Sequence, residues 1–395
     1  MRENKRKKEK KALFRKINDW LHLWLGLVSG IIVFIISITG CFYAFQQEIK
    51  DMMEPWRFVE QQAEQFVPPS RLLDTAAVYM PGQRPTGLTY GHRGEAAAAG
   101  YIGMTDGKAT FSVVFMNPYT GEFIKKQTPR GGDEFNFFNF ILDGHQALWL
   151  PSEIGKPIVG IATLVFVVLL VTGIVMWWPK RWSKANRDKS FKIKLKGSFK
   201  RVNYDLHNVL GFYSLIFAFV LAITGLVWSF AWVDKAVYFV FSGGDIKQGH
   251  HHPHSDPSNK DLLWKDALSP LDKAWYKTLE TADDINGMYM TPYPADDDDP
   301  IDITVYHLIG QWYDHSEYFY DRYTLAPLEM DGSKFREASF ADQLSMMNYD
   351  IHVGSIGGLP GKVFAFLISL ICASLPITGF LVWWNKRKKK TRLAK

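Results

Sequence analysis

Cysteine is nearly missing from this chain: its 395 residues include two, Cys41 and Cys372. Both fall inside long apolar runs, where a thiol is most simply a small packing residue. Two cysteines so placed exclude a disulfide framework, a cysteine-ligated iron–sulfur cluster and c-type haem attachment. Charge is missing where it matters most. Residues 20–45 hold no Asp, Glu, Lys or Arg. A Gly-rich dinucleotide fingerprint is absent from the basic segment 179–203, so that segment offers no nicotinamide or flavin site of that kind. Strong overall hydrophobicity is missing too. The mean hydropathy of -0.10 is low for a membrane protein, so large polar parts lie outside any bilayer.

Four apolar runs are nonetheless long enough to cross a bilayer core: 20–45, 157–178, 207–232 and 363–384. The first is too long, and lacks the small-residue cleavage pattern, for a removed signal peptide, so it reads as a retained anchor. Trp177-Trp178 and Trp383-Trp384 close the second and fourth runs as an aromatic belt does at an interface. Of 46 Lys and Arg, 26 are gathered in residues 1–16, 180–201 and 386–395. In a four-span topology all three segments share one side, which the positive-inside rule makes the cytoplasm. Topology and anionic headgroups thus explain the KRKKEKK and KRKKK runs, and a nucleic-acid partner is not expected. The expected layout is a basic N-terminus at 1–16, spans at 17–46, 157–178, 204–232 and 363–384, exterior segments at 47–156 and 233–362, a basic loop at 179–203 and a basic tail at 385–395. Both chain ends are then cytoplasmic.

The spans repeat. His22 and Gly26 open the first with His-x-x-x-Gly, and His207 and Gly211 open the third in the same way. Gly40 and Gly225, each after a Thr, stand 18 residues beyond those histidines. Ahead of the second and fourth spans lie His145 and His352, followed after 27 and 26 residues by Thr172-Gly173 and Thr378-Gly379. This predicts a four-helix bundle built from a duplicated two-helix unit, with a site where the repeats meet. Residues 135–150 read as an interfacial helix. In the exterior segments, FSVVFMNPYTGEFIKK reads as strand-turn-strand, residues 70–80 as a short amphipathic helix, and Tyr323-Thr324 can be laid over Tyr119-Thr120.

A single histidine at a helix end is commonly an interfacial hydrogen-bonding group, and glycine in a span often just permits close packing. Four histidines at duplicated positions in an apolar bundle, whose two cysteines read as packing residues, suit b-type haem with two axial imidazoles. Zinc competes poorly, because structural zinc sites gather four ligands and each side has two histidines. Gly26 and Gly211 lie one turn from their histidines and leave a bare helix face where a porphyrin ring can lie. The Thr-Gly pairs offer the same service to the opposite haem. Two axial nitrogens on one iron stand about 4 Å apart, and at about 1.5 Å per residue the 18 residues from His22 to Gly40 cover about 27 Å. His22 therefore pairs with His207 on an inner haem, and His145 with His352 on an outer one.

His22-x-x-x-Gly26, His207-x-x-x-Gly211, His145, His352 and the Thr-Gly…Trp-Trp endings together resemble the PepSY-associated transmembrane-helix family of bacterial inner-membrane proteins. The turn from Asn117 to Glu122 looks like the strand turn of a PepSY module. The resemblance covers about residues 12–390. It implies a multi-pass inner-membrane protein with two extracytoplasmic α+β PepSY-like domains. It also implies a di-haem reductase that acts on ferric siderophores or other periplasmic ferric chelates. Some relatives carry a cytoplasmic reductase domain, whereas here the longest cytoplasmic segment is 179–203. A separate cytoplasmic flavoprotein or quinol is therefore the expected electron donor. Two other readings differ in class. One is a non-enzymatic PepSY module that binds peptides or regulates a peptidase. The other is a transporter, which would want more polar groups at the bilayer midplane. Arg15, Lys16 and Arg201 are candidates for haem propionates. The run from His250 to His254 is either a loose metal-binding loop or an incidental one, and the four aspartates 296–299 read as a solvated turn.

Overall fold

The computed structural model describes residues 2–105, 107–179, 181–247, 249, 252–260, 268–293 and 295–393. They form two compact units. One comprises Met1–Gln46, Phe140–Val237 and Ile351–Lys395, and the other Gln47–Asn139 and Tyr238–Asp350.

The first unit is a helical bundle. Four of its helices are long and apolar enough to cross a membrane: Leu13–Tyr43, Ser152–Trp177, Phe199–Ser229 and Ser355–Arg387. Apolar side chains such as Val28, Ile31 and Ile216 are at least 70% exposed, as residues facing lipid acyl chains are. Each helix begins before its apolar run, and the last also continues beyond it. The first is continuous over Arg2–Tyr43, and the last over Gly358–Leu393. Packing closes a ring: first against second, second against third, third against fourth, fourth against first. The first and third helices are therefore diagonal partners. Gly30 lets the first helix approach the fourth, since a Cβ there would stand 3.2 Å from the Cβ of Pro376. Mid-bundle, Leu170, Ala218, Ile368 and Cys372 form a buried apolar layer. The third helix is not regular. Five residues, Leu206–Leu210, make a π-turn between Phe199–Asp205 and Gly211–Ser229.

Before the second span, the aromatic stretch is helical over Phe137–Ala147 and stops there. Leu148 and Trp149 take φ of 54° and 59°, a left-handed termination that folds the Trp149 ring back onto Phe140. Gly144 makes room for it: a Cβ would lie 2.3 Å from the indole. Before the fourth span, Asn348–Val353 ends at Gly354, also left-handed, with φ 81°.

The second unit is one eight-stranded antiparallel sheet. Its strands are β1 (Gly87–Tyr90), β2 (Ala97–Thr105), β3 (Lys108–Met116), β4 (Phe123–Arg130), β5 (Gly287–Met290), β6 (Ile301–Tyr306), β7 (His315–Tyr320) and β8 (Pro327–Leu328). Their order is β4-β3-β2-β1-β5-β6-β7-β8. The expectation of two separate exterior domains therefore changes. β1 pairs with β5, Thr89 opposite Tyr289, and joins both insertions in one sheet. One face packs on the helices Pro69–Tyr79 and Pro270–Thr281, with Leu72, Tyr90, Trp275 and Met290 fully buried between. Alternation explains the face: in β6 Ile301, Ile303 and Val305 are buried, while Asp302, Thr304 and Tyr306 are partly exposed.

The strand turns match in detail. Asn117 Oδ1 accepts from the backbone N–H of Tyr119 and Thr120, and Asp321 Oδ1 accepts from those of Tyr323 and Thr324. The left-handed position is Gly121 in one turn and Leu325 in the other.

Candidate functional site

All four histidines singled out by the sequence lie in the helical unit. His22, from the first helix, faces His207 from the third, with ring centroids 6.3 Å apart and planes crossed at 79°. His145 faces His352, with centroids 6.1 Å apart and planes at 66°. Each pair draws its members from different halves of the sequence.

A threonine seats each ring, and its bonding fixes the tautomer. Thr172 Oγ1 donates to the Val168 carbonyl at 3.0 Å, as a helical threonine does. With its one proton so used, it accepts from His22 Nδ1–H at 2.9 Å. Thr378 repeats this, donating to Ser374 and accepting from His207 Nδ1–H at 3.0 Å. Thr224 donates to Val220 and accepts from His352 Nδ1–H at 2.9 Å. His145 removes any ambiguity: its Nδ1 lies 2.8 Å from the Ile36 carbonyl, which can only accept, with Thr39 Oγ1 at 3.4 Å. The backbone at Leu169, Leu375 and Leu221 plays the part of Ile36 for the other three. Each seat is thus a threonine and the residue three before it on a neighbouring helix. This bonding assigns the proton of every histidine to Nδ1. Nε2, with no hydrogen-bond partner among the described residues, keeps its lone pair.

The glycine after each threonine completes the seat. A Cβ at Gly173 would come within 3.4 Å of His22 Cε1, at Gly379 within 3.1 Å of His207 Cε1, at Gly40 within 3.2 Å of His145 Cε1, and at Gly225 within 3.2 Å of His352 Cε1. This revises the sequence reading, in which the Thr-Gly pairs lay against a porphyrin; they lie against the imidazoles. Two asparagines the sequence reading missed add a brace. Asn18 Nδ2 donates to the Thr172 carbonyl at 3.1 Å, and Asn203 Nδ2 to the Thr378 carbonyl at 3.0 Å. Both are buried. Each stands four residues before its histidine, a spacing that could have revealed them.

Gly26 and Gly211 do not touch the rings. With His22 and His207 they line a cavity of about 400 Å³, within the range of cofactor pockets. Its wall is largely apolar, and among the described residues its charged members are Asp19 and Lys386. Arg201 is engaged elsewhere, on Asp205 Oδ2 at 2.7 Å, so Lys386 replaces it as the cation facing the cavity. Among the described residues no three His, Cys, Asp or Glu side chains converge as a metal site; histidine occurs in facing pairs.

Haem fits such pairs. With metal–nitrogen bonds of about 2 Å and each ring centroid about 1.2 Å behind its nitrogen, two axial imidazoles on one iron have centroids about 6 Å apart. The observed 6.3 Å and 6.1 Å agree. The tautomer agrees as well, because a ligating histidine usually donates its second N–H to an oxygen.

A family model described as PepSY-associated TM region matches residues 20–386. The chain belongs to this family. The PepSY-associated match takes in both histidine pairs and the eight strands and reaches into all four spans. No curated protein matches the chain.

The remaining sequence candidates belong to the other unit. His250 and His251 are outside the described residues. His252 rests on Phe319 at 5.6 Å, and His254 meets the Asp298 carboxylate at 3.3 Å. Asp297 pairs with Lys260, and Asp299 accepts from the Asp296 backbone, as in a solvated turn.

Proposed function

We propose that this chain is a transmembrane di-haem b electron-transfer protein, a membrane-bound metalloreductase. Its acceptor is Fe(III) in a ferric siderophore or similar periplasmic chelate, released as Fe(II). The observation that carries the reading is the fourfold recurrence of one histidine seat, with Nδ1–H bonded and Nε2 without a partner among the described residues, in facing pairs whose ring centroids are 6.3 Å and 6.1 Å apart. His22 with His207 would hold one haem, and His145 with His352 the other. When bound, haem supplies one-electron redox chemistry.

The chain's own residues do the rest. The threonines hold the Nδ1 protons and so keep Nε2 basic. Gly26 and Gly211 keep the cavity wall free of side chains. The apolar layer of Leu170, Ala218, Ile368 and Cys372 excludes water between the two pairs. We read the spans and the two four-stranded halves as a duplicated unit with PepSY-like exterior parts. The three basic segments support a bacterial inner-membrane location with both termini in the cytoplasm. Electrons come from a cytoplasmic flavoprotein or quinol. Each Fe(III) takes one electron, so a two-electron donor serves two acceptors. Reduction releases iron because hard oxygen ligands hold Fe(III) far better than Fe(II).

The test is anaerobic. Purified protein is reduced with dithionite, freed of excess reductant and mixed with a ferric siderophore. The reading predicts decay of the reduced haem bands with Fe(II) appearing in a colorimetric trap. Bands that stay reduced against every ferric chelate tried would overturn the reductase assignment.

A further inference from the structure

The histidine rings in each pair are crossed, and the crossing is built in. We infer that Thr172, Thr378 and Thr224, and for His145 the Ile36 carbonyl one turn before Thr39, are positioning groups that would hold the axial imidazoles of each haem in crossed planes and so set the electronic structure of both irons. The inference rests on the reading above and deepens it.

The Cβ tether limits ring rotation about the iron–Nε2 direction, and a hydrogen bond at the far nitrogen removes much of the freedom that is left. Here the far nitrogen is tied four times over. His22 Nδ1 bonds to Thr172, on the second span, and His207 Nδ1 to Thr378, on the fourth. Those two helices stand at opposite corners of the ring of four. Each imidazole plane is therefore set by a different helix, and the two planes cross at 79°. For the other pair the ties come from the first and third helices, and the planes cross at 66°. The glycines make room for these orientations, because a Cβ at Gly173, Gly379, Gly40 or Gly225 would stand only 3.1–3.4 Å from the Cε1 of its ring. Turning a ring out of its plane would give up its Nδ1 bond.

Crossing has an electronic consequence. Parallel imidazoles donate into the same iron d orbital and split it from its partner. Crossed imidazoles donate into one each and leave the two nearly equal in energy. A low-spin ferric haem of the second kind gives one strongly anisotropic, large-g EPR signal in place of a rhombic three-line spectrum.

The experiment is EPR on the oxidised, haem-loaded full chain in detergent. Each haem is observed alone by using His145→Ala for the inner and His22→Ala for the outer. Large-g signals from both are expected, with the inner the more extreme because its planes are closer to perpendicular. Thr172→Val should move the inner signal towards the rhombic form, and Thr172→Ser should restore it. The wild-type spectrum carries the test even where the valine variant loses its haem. Rhombic spectra from both haems, or a large-g signal unchanged in a haem-loaded Thr172→Val, would overturn the inference. A protein purified without haem contradicts the underlying reading; a bis-imidazole haem with a rhombic signal contradicts only the crossed arrangement.

Discussion

A histidine becomes an axial ligand candidate through what lies behind it. In this chain that is a threonine hydroxyl whose own proton is already committed, a backbone carbonyl one turn earlier, and a glycine. The residue scale is where sequence reading went furthest and then misassigned a role. His22, His207, His145 and His352 were legible as a set because they recur at fixed distances from glycines and spans. The Thr-Gly pairs were legible as a motif, but their target was not, because which helix faces which is a property of the bundle. The geometry makes a sharp expectation for Gly379. Its Cβ direction ends 3.1 Å from His207 Cε1, so Gly379→Val should displace that ring. Haem content should fall by about half by pyridine haemochrome assay, with the His145 and His352 pair retained.

Asp321 gives a second residue-scale expectation. Burial raises its pKa, but hydrogen bonds from Asp256, Tyr323 and Thr324 outweigh that and hold the carboxyl below its usual range. The folded state thus favours the ionised form. The stability it contributes is present above the ordinary carboxylate pKa of about 3.9 and is lost as pH falls through the lower folded value. Asp321→Ala should cost about 1–3 kcal/mol at neutral pH. The difference in thermal midpoint should shrink as pH is lowered below about 4; a gap that widens there would refute the account.

At the scale of elements, long apolar runs made the four helices readable, since about 20 apolar residues in a row have few other fates. Three features were hidden. The π-turn at Leu206–Leu210 has no counterpart in the first helix, although both carry His-x-x-x-Gly. A one-residue bulge leaves no periodic trace in so short a stretch. The stop at Ala147 depends on two non-glycine residues taking left-handed φ, which propensity argues against. The joining of the two insertions rests on β1 and β5, four residues each and two hundred positions apart, too short to show alternation. Helix contact offers its own expectation. Gly30→Leu fills the space against Pro376 and should separate the first and fourth helices. A loss of about 1–3 kcal/mol, read as a lowered thermal midpoint in detergent, is the expected size for overpacking; an unchanged midpoint would mean those helices are not tightly apposed there.

At the scale of the whole molecule, the proposed orientation and redox role rest on charge partition and the paired histidines together. The proposed topology, which rests on the basic residues gathered in three segments, puts the 184–191 helix on the cytoplasmic side. Both native cysteines are buried, so Arg187→Cys supplies a reporter. It should react with a membrane-impermeant maleimide in inverted vesicles and stay silent in intact spheroplasts; the reverse pattern would invert the topology. The central claim is that two histidine pairs hold two haems, and haem stoichiometry with reduced-minus-oxidised spectra of the wild type and the four single His→Ala variants tests it most directly. The account predicts two haems per chain in the wild type and one in every variant. His22→Ala and His207→Ala should remove one spectral component, and His145→Ala and His352→Ala the other. A wild type without haem, or a His22→Ala and a His145→Ala that silence the same component, would contradict it.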